Sequence, residues 1–133
     1  MTVKPNIRKQ VRQRANGYCE YCQQIEYATG FSYHVDHIIA KKHLGTNDLD
    51  NLAWSCFDCN VFKGTDIASY DLDTGELIAL YNPRIQLWED HFAKNDLIII
   101  GKTPIGRVTA RILKFNHEDR LDNRHYLQLL GLW

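Results

Sequence analysis

Apolar positions along the chain come in short groups separated by polar turns, and no group is long. Ile7 and Val11 lie four residues apart within the polar run from Asn6 to Ala15, which is the spacing of one helix face. Asn6 is a candidate N-cap and Asn16-Gly17 a stop signal for that helix. The stretch "FSYHVDHII" is rich in aromatic and β-branched residues and predicts a strand through His34 and Asp36. A polar loop, "AKKHLGTNDLDN", follows, and "LAWS" leads into "CFDC". From Asn60 to Ala68 the pattern predicts a helix interrupted by Gly64. "DLDTGELIALYNP" predicts a hairpin with its turn at Asp73, Thr74 and Gly75 and a strand from Leu77 to Tyr81, stopped by Pro83. Ile85, Trp88 and Phe92 stand at helical spacing, and "LIII" predicts a buried strand. The end of the chain reads as two helices, the earlier one capped by Thr103 with Pro104 at its first position. No repeat or low-complexity linker divides this pattern, so one domain over residues 1–133 is expected.

Composition narrows the class. At 133 residues, with 44% hydrophobic and 24% charged residues, the chain has the make-up of an ordinary soluble domain. No apolar run approaches the roughly 20 residues that span a bilayer, and the basic N-terminus has no apolar stretch behind it. A cytoplasmic protein without membrane contact is expected. Cysteines there stay reduced, which favours metal ligation over disulfides.

The formal net charge is zero, so overall charge gives no support to nucleic-acid binding. Its distribution is uneven. Lys4, Arg8, Lys9, Arg12 and Arg14 open the chain, and Lys102, Arg107, Arg111, Lys114, Arg120 and Arg124 recur near its end. Either these segments fold together into one phosphate-facing surface, or they are solvated helix faces.

The chemistry concentrates between Cys19 and Gly64. Cys19, Cys22, Cys56 and Cys59 form two Cys-x-x-Cys pairs, and each pair can place both sulfurs on one ion. Together they complete the four-sulfur shell of structural zinc. Thioredoxin-like redox chemistry would need one such pair in a βαβ context, which the pattern lacks. A closed four-thiolate site has no open position, so catalysis must lie elsewhere. Zinc would instead pin the strand carrying His34, Asp36 and His37 to the turn carrying Asn60 and Lys63. Asp36 and His37 are adjacent and would point to opposite faces of a regular strand, so only a bend or bulge lets both serve one centre. A carboxylate such as Asp36 suits Mg²⁺ or Mn²⁺, neutral His37 can take a proton from water, and Asn60 can add a carbonyl oxygen.

The segments "VDHI", "DNL", "CFDCN" and "KG", in that order and bracketed by the cysteine pairs, resemble the zinc-bound branch of the HNH endonuclease family. The resemblance implies an α+β fold with a ββα-metal core (HNH, His-Me finger), a structural four-cysteine zinc site and additional C-terminal helices. The core would cover about 17–70 and the C-terminal extension about 71–133. By the same resemblance His37 looks like the general base, Asp36 and Asn60 like ligands of a catalytic Mg²⁺ or Mn²⁺, and Asn51 like the central Asn that ties the loop between the strands and orients the base. The implied reaction is hydrolysis of a DNA phosphodiester, leaving a 5′ phosphate. Lys63 either meets a substrate phosphate or acts as a capping or solvent-facing lysine. The competing reading is a non-catalytic zinc-bound module that binds nucleic acid or protein.

The remaining candidates read more plainly. His34 suits a hydrogen-bonded structural role, His43 an exposed loop, and His91 packing or helix capping beside Trp88 and Phe92. Trp54, Phe57 and Phe62 are expected to pack around the second knuckle. The C-terminal "YLQLLGLW" could line a homodimer face or the monomer core.

Overall fold

The computed structural model describes residues 3–26 and 32–133. The first helix, α1, covers Pro5–Arg14 and starts one residue before the expected Asn6 cap. Lys4 holds the N-cap position without a side-chain bond, because Pro5 already supplies a first helical residue that needs no hydrogen-bond partner. Asn16 and Gly17, both at positive φ, end it as expected. Val11 is its buried residue, and the chain then enters the first cysteine knuckle.

Strand β1, His34–His37, pairs antiparallel with β2, Leu52–Ser55, in the register His37 with Leu52 and Asp36 with Ala53. The start of the expected strand, at Phe31, lies outside the described residues. All four residues of β2 are buried, which makes it the central rail of this half. Helix α2 follows at once, Phe57–Lys63, three residues earlier than the sequence pattern predicts. The reason is the cap: Cys56 Sγ accepts from Cys59 N–H, so the knuckle itself is the first turn of the helix. Gly64, at φ 52°, ends α2, and a turn takes the place of the expected continuation, with a strand starting at Ala68.

That strand, β3 (Ala68–Tyr70), pairs with β4 (Leu77–Ala79) around the anticipated turn, β4 being two residues shorter than expected. The helix anticipated from Ile85 to Phe92 shrinks to the single turn α3, Trp88–His91, and Phe92 opens β5, Phe92–Asn95. Ile85 stays exposed, so its spacing to Trp88 does not mark a buried face. Strand β6, Ile98–Gly101, pairs with β5, but of the "LIII" run only Ile99 is buried in it. A two-stranded ribbon has one covered face, so Ile98 and Ile100 remain open to solvent.

Helix α4, Pro104–Ile112, is capped by the Thr103 hydroxyl, which accepts from Gly106 N–H, as the sequence predicts. It lies tightly on the β5–β6 ribbon. A Cβ at Gly106 would come within 2.0 Å of the His91 carbonyl oxygen, so this crossing requires glycine. Helix α5, Glu118–Leu129, closes the chain, with Leu127 turned inward and Leu129 and Leu130 left exposed. One continuous apolar cluster joins Tyr21, Leu52 and Trp54 near the knuckles to Phe92, Ile99, Val108, Leu113 and Phe115 of the C-terminal half. Among the described residues no helix is long and apolar enough to cross a membrane.

Internal partners hold most arginines of the two basic segments. Arg8 donates to the Tyr33 carbonyl and stacks over Trp54, Arg12 pairs with Glu26, and Arg14 donates to the carbonyls of Leu49 and Leu52. Arg107 grips Asp71 bidentately, Arg111 donates to the Tyr70 carbonyl, and Arg124 to those of Leu97 and Phe115. Short irregular elements leave carbonyls without ladder partners, and the five-donor guanidinium satisfies them. The arginines are staples.

Candidate metal centre and active site

The four cysteine sulfurs converge. Cys19, Cys22, Cys56 and Cys59 are buried and free, and their Sγ atoms lie within 4.8 Å of one another. Cys22 N–H points to Cys19 Sγ at 3.5 Å and Cys59 N–H to Cys56 Sγ at 3.4 Å, so each knuckle turns a backbone donor towards its first sulfur. Cys22 Sγ and Cys56 Sγ are 3.7 Å apart. A tetrahedron with metal–sulfur bonds of about 2.3 Å has edges of about 3.8 Å, whereas a disulfide would need about 2.05 Å. The cysteines are therefore arranged to hold a metal ion, and an all-thiolate set of this size fits zinc.

The second cluster lies where β1 ends against α2. Asp36, 4% exposed, accepts from the Tyr21 hydroxyl at 2.6 Å and pairs with the Lys63 ammonium at 3.0 Å. Burial raises the Asp36 pKa, while Lys63 and the Tyr21 hydroxyl oppose it. The Tyr21 pKa is pushed up by its own burial and by the Asp36 charge, so its proton stays in place to be donated. Lys63 is only 2% exposed. Besides Asp36, its ammonium donates to the His37 carbonyl at 3.1 Å and the Ile38 carbonyl at 3.2 Å. The sequence left Lys63 as a phosphate contact or as a capping or solvent-facing lysine, and the structure turns it inward, where three acceptors match its three protons.

Consecutive carbonyls on a regular strand point in opposite directions. Two of them meeting one ammonium means that the chain bends directly after His37. Asp36 and His37 themselves stay in the regular β1 pairing, Asp36 turned inward to Tyr21 and Lys63 and His37 towards Asn47 of the loop. Asn51 fixes the far side of the bend: Ile39 N–H donates to Asn51 Oδ1 at 2.9 Å, and Asn51 Nδ2 donates to the carbonyls of Ile39 at 3.0 Å and Thr46 at 2.8 Å. The loop between β1 and β2 is thus tied from within by one side chain. His37 Nε2 lies 2.8 Å from Asn47 Oδ1. An amide oxygen only accepts, so with this contact made Nε2 is the donor and Nδ1 is the nitrogen left to accept.

Residues 19–66 match the family model of the HNH endonucleases. The match covers about a third of the 133-residue chain and contains both clusters. No curated protein and no solved structure matches the chain. An HNH segment points to a nuclease-type or nucleic-acid-related function, and it spans α2 together with the paired strands β1 and β2.

Asn60 completes the inventory of this segment. It sits on α2, one turn before Lys63, and residues three apart share a helix face, so it stands on the side of α2 that Lys63 turns towards Asp36. A carboxylate and an amide oxygen are the donors that hard divalent cations take, with waters filling the other positions. Of the other histidines, His34 packs against Phe57, His43 ends an exposed 3-10 turn, and His91 Nδ1 lies 2.7 Å from the Thr103 hydroxyl. His117 caps α5. Trp54 is a core residue, but Phe57 stays partly exposed and Phe62 lies under the Lys114 ammonium.

Sequence reasoning missed three contributors to the HNH segment. Tyr21 and Asn47 were overlooked because neither residue type has a motif. The third is Arg120 on α5, whose guanidinium reaches Cys59 Sγ at 3.1 Å and Cys56 Sγ at 3.6 Å across 61 and 64 residues of sequence. No local pattern encodes contacts of that range.

Proposed function

We propose that the protein is a metal-dependent endonuclease that hydrolyses phosphodiester bonds in DNA. In this reading β1, β2 and α2 are a ββα-metal core braced by structural zinc at the four cysteines. His37 is the general base, with Nδ1 taking the proton of the attacking water. Asp36 and Asn60 hold one Mg²⁺ or Mn²⁺ ion, which when bound supplies the positive charge that stabilises the leaving 3′ oxygen. Asn51 keeps the loop after His37 in place, Asn47 keeps the proton on Nε2, and Lys63 keeps β1 bent and Asp36 ionised. The observation that carries the proposal is the contact of His37 Nε2 with Asn47 Oδ1 at 2.8 Å, which, with Nε2 as donor, leaves Nδ1 on the other side of the ring to take the proton. Cleavage of plasmid DNA with and without divalent metal, beside His37→Ala, tests it.

One observation favours the second reading, a non-catalytic module that binds nucleic acid or protein. The Asp36 carboxylate already has a cation, Lys63, and a second donor, Tyr21. Paramagnetic broadening by Mn²⁺ separates the two. Selective broadening of Asp36 and Asn60 resonances supports the nuclease, and its absence with DNA present supports the module.

A further inference from the structure

A divalent ion among four thiolates leaves a net charge of about −2 inside the protein, where uncompensated charge is costly. Among the described residues, Arg120 is the cation that donates to these sulfurs. Arg120 is 3% exposed, and its Nη2 reaches the sulfurs of Cys59 and Cys56 while Nη1 donates to the Leu113 carbonyl at 2.7 Å. Asp58 stands farther off, 3.9 Å from Arg120 Nε. Both contacted sulfurs belong to the second knuckle, the one that starts α2 and with it the helix carrying Asn60 and Lys63.

We propose that Arg120 is the outer-sphere charge partner of the metal–thiolate centre: it retains the metal by withdrawing charge from the Cys56 and Cys59 sulfurs, and makes α5 part of that centre. Donation to a ligating thiolate lowers its electron density, and so its reactivity towards electrophiles, and it offsets the repulsion among four clustered sulfurs. Groups that hydrogen-bond metal ligands are typically worth about 10- to 100-fold in metal affinity. The inference does not depend on whether the protein cuts DNA.

A structural alternative exists, in which Arg120 only ties α5 to Leu113, and Arg124 is the control for it. Arg124 is as deeply buried on the same helix and feels the cysteine charges from farther off, but its donations among the described residues go to the carbonyls of Leu97 and Phe115 and to Asn116 Oδ1. The experiment compares zinc-loaded wild type, Arg120→Lys, Arg120→Gln and Arg124→Lys. It reads zinc affinity by competition with a chromophoric chelator, the alkylation rate of the zinc-bound cysteines, and the thiolate-to-metal charge-transfer band after Co²⁺ replacement. Arg120→Gln is expected to lose about 10- to 100-fold in zinc affinity, to alkylate faster at Cys59 and to shift the Co²⁺ band, with Arg120→Lys between it and wild type. Arg124→Lys is expected to melt lower with metal affinity and band unchanged. If Arg120→Gln does not fold, Arg120→Lys carries the comparison, because a shorter side chain without the planar fork cannot hold both sulfurs and the Leu113 carbonyl in the same geometry and must still shift the band. Arg120 variants with wild-type affinity, alkylation rate and band, or Arg124→Lys showing the same changes, overturn the proposal.

Discussion

Replacing Lys63 by methionine keeps the length and apolar stem of the side chain and removes the ammonium. Asp36 is then left inside with the Tyr21 hydroxyl as its remaining donor, and the His37 and Ile38 carbonyls lose theirs. Removing one partner of a buried ion pair costs about 3–5 kcal/mol. Unfolding entropy near 60 °C is about 2.1 cal/mol/K per residue, so for this chain the loss corresponds to a melting point lower by about 11–18 °C. The deficit must also depend on pH. Without Lys63 the folded-state pKa of Asp36 rises further above its unfolded value, so the folded variant binds a proton that the unfolded chain does not. Its stability relative to wild type is therefore greatest at low pH and falls as pH rises through the folded pKa. Thermal melts of both zinc-loaded proteins from pH 5 to pH 8 are expected to show a gap that widens with pH, and Lys63→Met/Asp36→Asn to recover part of it. A variant melting within about 2 °C of wild type, or a gap independent of pH, would refute the role of the pair.

Four further outcomes are expected. Cys56→Ser removes a thiolate and the cap of α2 together, and is expected to abolish stoichiometric zinc and lower the melting point, by elemental analysis and calorimetry; an unchanged melt would argue against a structural metal. Asn47→Ala frees the His37 tautomer without touching the carboxylate. General-base catalysis is typically worth 10²–10⁴-fold, so a fall in kcat of about 10- to 100-fold with KM unchanged is expected in steady-state cleavage assays, and an unchanged kcat contradicts the role. Arg107 holds the Asp71 pKa down to about 2. Stability from that pair is therefore present above about pH 4 and lost as pH falls towards 2, so Arg107→Gln should weaken the protein at pH 7 and pH 5 alike and less below pH 4, by denaturant titration. Asn51→Ala removes three loop bonds worth about 1 kcal/mol each, and should speed amide exchange over residues 39–46.

Local chemistry was legible in the sequence where it depends on spacing. The two Cys-x-x-Cys pairs announced the metal cluster, Asp73, Thr74 and Gly75 the hairpin turn, and Thr103-Pro104 the start of α4, because each feature is made within a few residues. What was misread depends on partners brought from afar. Lys63 looks like a surface lysine until Asp36 and two β1 carbonyls surround it. "LIII" looks buried on both faces until its sheet proves to have only two strands. The arginines look like a nucleic-acid footprint, yet most are spent on carbonyls that short elements leave unpaired. Arg120 had no signal at all, since its contact with Cys59 closes only when α5 packs against the second knuckle.

The role proposed for His37 is to activate water for DNA hydrolysis. Its most direct test is plasmid cleavage by the purified zinc-loaded protein with Mg²⁺, Mn²⁺ or EDTA, beside a His37→Ala variant shown to hold zinc and stay folded. Nicking or linearisation that needs the divalent metal and disappears in His37→Ala is expected. Cleavage undiminished in the variant, or none with any metal from folded wild type, would contradict it.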